Sequence, residues 1–274
     1  MKSIGRNCVA LLLALVSVAV AKASTVDTLA VESKAMNKKV DVTVVVPDNV
    51  EKGQKLPVVY LLHGYAGDHF NYLNRTDVRE YADRLGMIVV MPDGDTSWYF
   101  DSPVDPSLRY ETFVSDELVR YMDTNYNTVP ARSGRAVTGL SMGGHGALYL
   151  AIRHQDVFGA AGSMSGGVDF TPFPEKWNIK DALGDIADHP ENWKKNTVMA
   201  QLPLLKDGAL RLIVDCGTED FFYQVNCNLH EALMEKGIGH EFTTRPGVHN
   251  WDYWRRSLRD HLLFFHDYFK EAVK

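Results

Sequence analysis

The chain has 274 residues, 45% of them hydrophobic, with 29 Lys and Arg against 35 Asp and Glu for a formal net charge of −6. That length and apolar content suffice for one large core and exclude a disordered chain or a small disulfide scaffold. The acidic balance argues against nucleic acid or an anionic membrane surface as a partner.

Residues 1–23 read as an export signal. Lys2 and Arg6 precede an apolar run from Val9 to Val20, and Ala21-Lys22-Ala23 forms an A-x-A cleavage pattern before Ser24. The run is short for a permanent span, and an uncleaved N-terminal anchor is the alternative. Cleavage removes Lys2, Arg6 and Lys22 and no acid, so the mature chain, 24–274, is still more acidic. It is expected in the periplasm or outside the cell, with no stable membrane insertion. Cys8 lies in the signal, which leaves Cys216 and Cys227. A bridge between them suits an oxidising compartment, but two buried thiols is the preferred reading.

Two strands are expected within 24–46, the second running from Lys39 to Val46, β-branched and stopped by Pro47. Pro57 to Leu62 is a continuous apolar run, as in a strand buried on both faces. It ends in His63-Gly64-Tyr65-Ala66-Gly67, where a glycine lets the backbone turn its amides into a cavity. His63 and His69 have no third ligand at metal-binding spacing. A helix over 77–85, ended by Gly86, precedes a buried strand at 87–91. That strand empties into Pro92-Asp93-Gly94-Asp95 and the aromatic stretch Thr96 to Phe100. Asp93-Gly94 reads as a turn rather than a metal site, and the aromatics as a substrate wall. Tyr110 to Tyr126 has the pattern of an amphipathic helix.

At the centre of the chain, a strand at 135–138 breaks into Gly139-Leu140-Ser141-Met142-Gly143, a G-x-S-x-G pattern, and a helix follows from Met142 to His154. A serine on so sharp a turn takes a strained backbone, and residues two before and two after it must be small. Its hydroxyl then stands at a helix N-terminus, where partial positive charge favours an oxyanion. A glycine-rich turn in an α/β protein is the bland alternative. After a small-residue strand at 158–165, residues 166–207 break the βα rhythm and carry Phe170, Phe173, Trp177 and Trp193. Such a segment is expected to cap a site, with a peripheral excursion as the alternative. Its apolar content suits an interface between copies as well as a pocket. A strand at 210–215 empties into Cys216 to Asp220. A helix at 222–236, a strand at 240–245, the loop Pro246 to Trp251 and a helix at 252–269 complete the chain.

A serine nucleophile needs a base, and the base needs a partner that fixes its tautomer. In a mostly parallel sheet these groups gather at the C-terminal ends of strands. Of the ten histidines, His249 best meets that condition; His230, His261 and His266 fall on helix faces, and His240 starts a strand. Asp220 is the candidate acid, Glu219 beside it is the alternative, and Asp215 reads as structural. The order Ser141, Asp220, His249 is the nucleophile–acid–base order of α/β-hydrolases, and the amides of Tyr65 and Met142 are the expected oxyanion donors. The fold expected is therefore α/β: a mostly parallel central sheet, helices on both faces and a small cap insertion.

These stretches resemble the putative esterase family of α/β-hydrolases. That family groups esterase D (S-formylglutathione hydrolase), feruloyl and acetyl esterases, tributyrin esterases and the antigen 85 mycolyltransferases. The likeness rests on Leu61-Leu62-His63-Gly64, Pro92-Asp93-Gly94, Ser97-Trp98-Tyr99, Tyr110-Glu111-Thr112-Phe113, the Ser141 motif, Cys216-Gly217-Thr218-Glu219-Asp220 and Pro246-Gly247-Val248-His249-Asn250-Trp251. It implies Ser141 as nucleophile, Asp220 as acid, His249 as base, and Tyr65 and Met142 as oxyanion donors, with no metal or cofactor. In the feruloyl and acetyl branch the Ser-Trp-Tyr loop lies near the acyl or sugar group, which suggests Trp98 here. His63 and Trp251 are the further candidate substrate contacts, although a histidine ending a buried strand more commonly serves as a hydrogen-bonded structural residue. The expected activity is ester hydrolysis on a small-molecule or oligosaccharide ester. Acyl transfer to a sugar hydroxyl and a non-catalytic carbohydrate-binding role are the rivals. The export signal disfavours a cytosolic thioesterase.

Overall fold

The computed structural model describes residues 24–272 apart from 49 and 52, so the export-signal reading lies outside the described residues. Eight strands form one sheet: β1 Thr25–Ser33, β2 Lys38–Val46, β3 Val58–Leu62, β4 Ile88–Pro92, β5 Arg135–Gly139, β6 Ala160–Met164, β7 Arg211–Gly217 and β8 Glu241–Arg245. Their order is β1-β2-β4-β3-β5-β6-β7-β8. The β1–β2 and β2–β4 pairs are antiparallel, and β4 through β8 pair in parallel. This is the α/β-hydrolase arrangement.

Alternation along the strands builds two cores. Val58, Tyr60 and Leu62 of β3 join one cluster while Val59 and Leu61 join the other. The helices Met142–Arg153 and Tyr223–Glu235 cover the first face. Val78–Leu85 and the long Trp251–Ala272 cover the second. Strands buried on both faces are largely apolar, which is why β3 and β4 read as unbroken hydrophobic runs. Among the described residues no helix is long and apolar enough to cross a membrane.

The expected helix at 110–126 is continuous over 110–125 but takes a π-helical turn at Phe113–Glu117. Glu111, just before that turn, is buried. Its Oε1 accepts hydrogen bonds from Arg153 Nε at 2.7 Å and His154 Nε2 at 2.9 Å. Burial works against the Glu111 carboxylate, but these hydrogen bonds outweigh it and hold its carboxyl below the usual range.

The segment 166–207 folds into three short α-helices, Ile179–Leu183, Pro190–Lys195 and Val198–Gln201, and a 3-10 turn at Leu202–Leu204, packed on the body of the protein. Phe170, Ile179, Trp193 and Val198 are buried in the first core. Asn196 ties it to the Ser141-bearing helix: its carbonyl accepts from His145 Nε2 at 2.9 Å and its side chain from Tyr149 Oη at 2.9 Å. Cys216 and Cys227 are free thiols, Cys216 fully buried. Burial pushes the Cys216 thiol well up, so it is inert rather than reactive.

Candidate active site

Ser141 sits between β5 and the helix Met142–Arg153 with φ 56° and ψ −116°, a conformation that L residues rarely adopt. The turn is held on both sides. Ser141 N–H donates to the Met164 carbonyl of β6 at 3.0 Å, and the Ser141 carbonyl accepts from Gly167 N–H at 3.1 Å. The flanking glycines are a steric requirement. A Cβ on Gly139 would lie 2.5 Å from the Leu62 carbonyl oxygen, and one on Gly143 would collide with that same carbonyl.

The loops after β7 and β8 bring the other two groups to this serine. His249 Nε2 lies 2.9 Å from Ser141 Oγ, and His249 Nδ1 lies 2.8 Å from Asp220 Oδ2. The Asp220 carboxylate is fully buried, and its Oδ1 accepts from Phe222 N–H at 2.8 Å. With Asp220 accepting, Nδ1 carries the proton and Nε2 offers its lone pair to the serine hydroxyl. Glu219, the alternative acid, points elsewhere: its Oε2 accepts from Gly247 N–H at 2.5 Å and so braces the histidine loop. The amides of Tyr65 and Met142 have no acceptor within the described residues, as donors aimed at a substrate oxygen require.

The cleft over Ser141 holds about 360 Å³ and is lined by Tyr65, Trp177, Phe221, Trp251 and Trp254, with Asn71 and Arg75 at one end. Trp251 thus lies where a substrate contact was expected. Two other expectations are corrected. Trp98 is 1% exposed and does not line the cleft. Its loop turns inward, its ring packs on His145 and Phe170, and its indole N–H donates to the Trp177 carbonyl at 3.3 Å. Tyr99 and Phe100 are buried with it, so the stretch is core and not a substrate wall. His63 is equally buried and uses both ring nitrogens internally. Nδ1 donates to the Gly64 carbonyl at 2.8 Å, and Nε2 accepts from Gly94 N–H at 2.7 Å. It ties the oxyanion loop to the β4 loop and has no atom left for substrate.

The residues missed by sequence reasoning are Phe221, Trp254, Asn71 and Arg75; Trp177, an aromatic of the segment expected to cap the site, joins Phe221 as the aromatic wall in place of Trp98. Phe221 follows the acid directly and is 50% exposed despite its size. That adjacency is the signal that could have found it. A larger cleft of about 580 Å³ lies at the opposite ends of β6, β7 and β8, lined by Arg132, Arg211 and Glu241. Its lining shows no nucleophile with a base beside it, so the smaller cleft is the candidate site.

The family model described as Putative esterase matches residues 33–265. An acetyl esterase of Caldicellulosiruptor saccharolyticus is 25% identical over 246 residues, covering 82% of this chain and 92% of its own. The diacylglycerol acyltransferase/mycolyltransferase Ag85B of Mycobacterium leprae is 30% identical over 272 residues, 85% of this chain and 81% of that one. Among solved structures, a ferulic acid esterase superposes with a TM-score of 0.77 at 30% identity, over 90% of this chain and 99% of its own. With the eight-stranded sheet and the serine turn already in place, these matches settle the assignment: the chain belongs to the Putative esterase family of α/β-hydrolases.

Proposed function

We propose that this protein is an exported serine carboxylic-ester hydrolase that acts through an acyl-enzyme on feruloyl, acetyl or other short acyl esters of carbohydrates. The observation that carries this reading is the unbroken chain from Asp220 through His249 to Ser141, at 2.8 and 2.9 Å. His249 takes the proton of Ser141 as Oγ attacks the ester carbonyl. The tetrahedral oxyanion is held by the amides of Tyr65 and Met142, and Asp220 stabilises the imidazolium. His249 then protonates the leaving alcohol, and water activated by the same histidine releases the acid. Trp177 and Phe221 stack at 5.5 Å with an interplanar angle of 22° and offer a flat apolar wall for the acyl group.

Transfer of the acyl group to a sugar hydroxyl is the second reading. The 30% identity to an acyltransferase over most of both chains favours considering it, since the same triad serves either acceptor. The test is turnover of p-nitrophenyl acetate, butyrate and octanoate, methyl ferulate and acetylated xylo-oligosaccharide, with Ser141→Ala in parallel. The reading requires free acid from the wild type and none from the variant. New ester formed when excess sugar is present would select acyl transfer. Inactivity on every ester would sink both.

A further inference from the structure

The rings around Ser141 form a continuous arc. Trp177 contacts Phe221 at 5.5 Å, Phe221 contacts His249 at 4.3 Å, His249 contacts Trp254 at 4.8 Å, Trp254 contacts Trp251 at 5.5 Å, and Trp251 contacts Tyr72 at 5.5 Å. The arc therefore starts at the apolar pair Trp177 and Phe221 and ends on the helix Asn71–Arg75, with the catalytic histidine between.

The two ends differ in charge. Arg75 is the one Lys, Arg, Asp or Glu among the groups lining the cleft, in a chain whose net charge is −6. It is exposed, and its guanidinium has no hydrogen-bond or ion-pair partner among the described residues. No acid pairs with it among the described residues; Asp77, two positions on, is exposed and makes no side-chain cap hydrogen bond. Asp68 accepts from Phe70 N–H and Asn71 Nδ2, each at 2.8 Å, and Asp252 accepts from Arg255 at 2.6 Å. Arg255 Nε also donates to the Arg75 carbonyl at 2.7 Å, which fixes the backbone that carries Arg75. Asn71 stands one helical turn before Arg75 and lines the same cleft, so the pair shares one face of the helix. A guanidinium offers five donors in a planar fork that matches a carboxylate.

We infer that the half of the ester lying toward Trp251 carries an anionic group, a carboxylate received by Arg75 with Asn71 beside it, while the apolar half rests on Trp177 and Phe221. This rests on Ser141 being the esterase nucleophile. The substrate class it names is an acyl ester whose alcohol is itself an acid, such as a uronate-bearing glycan.

The test compares feruloyl esters of methyl glucuronoside and of its uncharged glucuronamide counterpart, two alcohols of nearly equal shape. Wild type should favour the acid by roughly tenfold in kcat/KM, as expected for one charge-assisted hydrogen-bonded contact. Arg75→Gln should bring that ratio to about one, Arg75→Lys should keep part of it, and Arg75→Glu should invert it. The preference should shrink as salt is raised. A feruloyl ester of glycerol phosphate separates a carboxylate site from a general anion site: equal or greater preference for the phosphate would overturn the carboxylate assignment. Equal turnover of the acid and the amide by wild type would overturn the proposal while leaving the esterase reading intact. No turnover of either ester by a protein that hydrolyses p-nitrophenyl acetate would also overturn the proposal, whereas inactivity on p-nitrophenyl acetate and every other ester would overturn the esterase reading on which it depends.

Discussion

Two Asp–His–hydroxyl relays cross the sheet side by side from β7 to β5. One is Asp220, His249 and Ser141 at the mouth of the cleft. The other is Asp215, His261 and Thr138, with His261 Nε2 at 3.0 Å from Asp215 and Nδ1 at 2.8 Å from Thr138 Oγ1. The residue types and distances are nearly the same, yet their settings are opposite. His261 and Thr138 are 0% exposed, and Asp215 takes a further hydrogen bond from Ser257 at 2.8 Å. None of the three lines either cleft described above. Ser141 by contrast has a strained backbone, unpaired amides beside it and a cleft above it. The comparison teaches that a relay becomes a candidate catalyst only where a substrate carbonyl can reach the hydroxyl and an oxyanion finds donors. Elsewhere the same three groups serve as a fully satisfied buried network that pins the C-terminal helix to the sheet.

The largest expected effect separates the two relays outright. Ser141→Ala or His249→Ala should lower kcat by about 10⁵-fold or more, and Asp220→Asn by about 10⁴-fold, with melting temperature nearly unchanged. His261→Ala should do the reverse. It leaves the Asp215 carboxylate buried without its histidine and should cost about 3 kcal/mol of stability, read as a lower urea midpoint, while kcat of the folded enzyme stays within a few-fold. A large loss of kcat at unchanged stability in His261→Ala would erase the distinction.

A third histidine sharpens the contrast through pH. His145 is fully buried, and burial lowers its pKa from the ordinary 6.5 to about 4. Folding favours its neutral form, so its full contribution is present above pH 6.5 and is lost as pH falls from 6.5 toward 4. At the low end the loss is roughly 3 kcal/mol. Melting temperature should therefore drop across that window, and more shallowly in His145→Gln. An identical slope in the variant would remove His145 from the account. The smallest effect concerns the aromatic wall. Phe221→Ala should reduce kcat/KM for an aryl ester by about tenfold and for an acetyl ester by less, measured on methyl ferulate and p-nitrophenyl acetate.

What was legible in the sequence follows the same division. The serine turn, Asp220 and His249 could be read because each lies in a short local pattern at a strand end, and the sheet because strands buried on both faces leave unbroken apolar runs. Trp98 could not be placed. A tryptophan in a loop reads equally as wall or as core, and only the inward turn of residues 97–100, with the indole bound to the Trp177 carbonyl, decides it. His63 was legible as a structural residue, but its reading as a substrate contact fails because both ring nitrogens are engaged within the protein. The Thr138–His261–Asp215 relay joins positions up to 123 residues apart and has no local signature. Arg75 stayed hidden because its helix, Asn71–Arg75, is too short to carry a periodic pattern.

The most direct test of the central claim is covalent labelling of the protein with a fluorophosphonate, followed by peptide mass spectrometry. The account predicts one phosphonyl group per chain on the peptide carrying Ser141. It predicts none on Thr138, and none anywhere in Ser141→Ala. Undiminished labelling of Ser141→Ala, or a wild type that takes up no label, would contradict the assignment of Ser141 as the activated nucleophile.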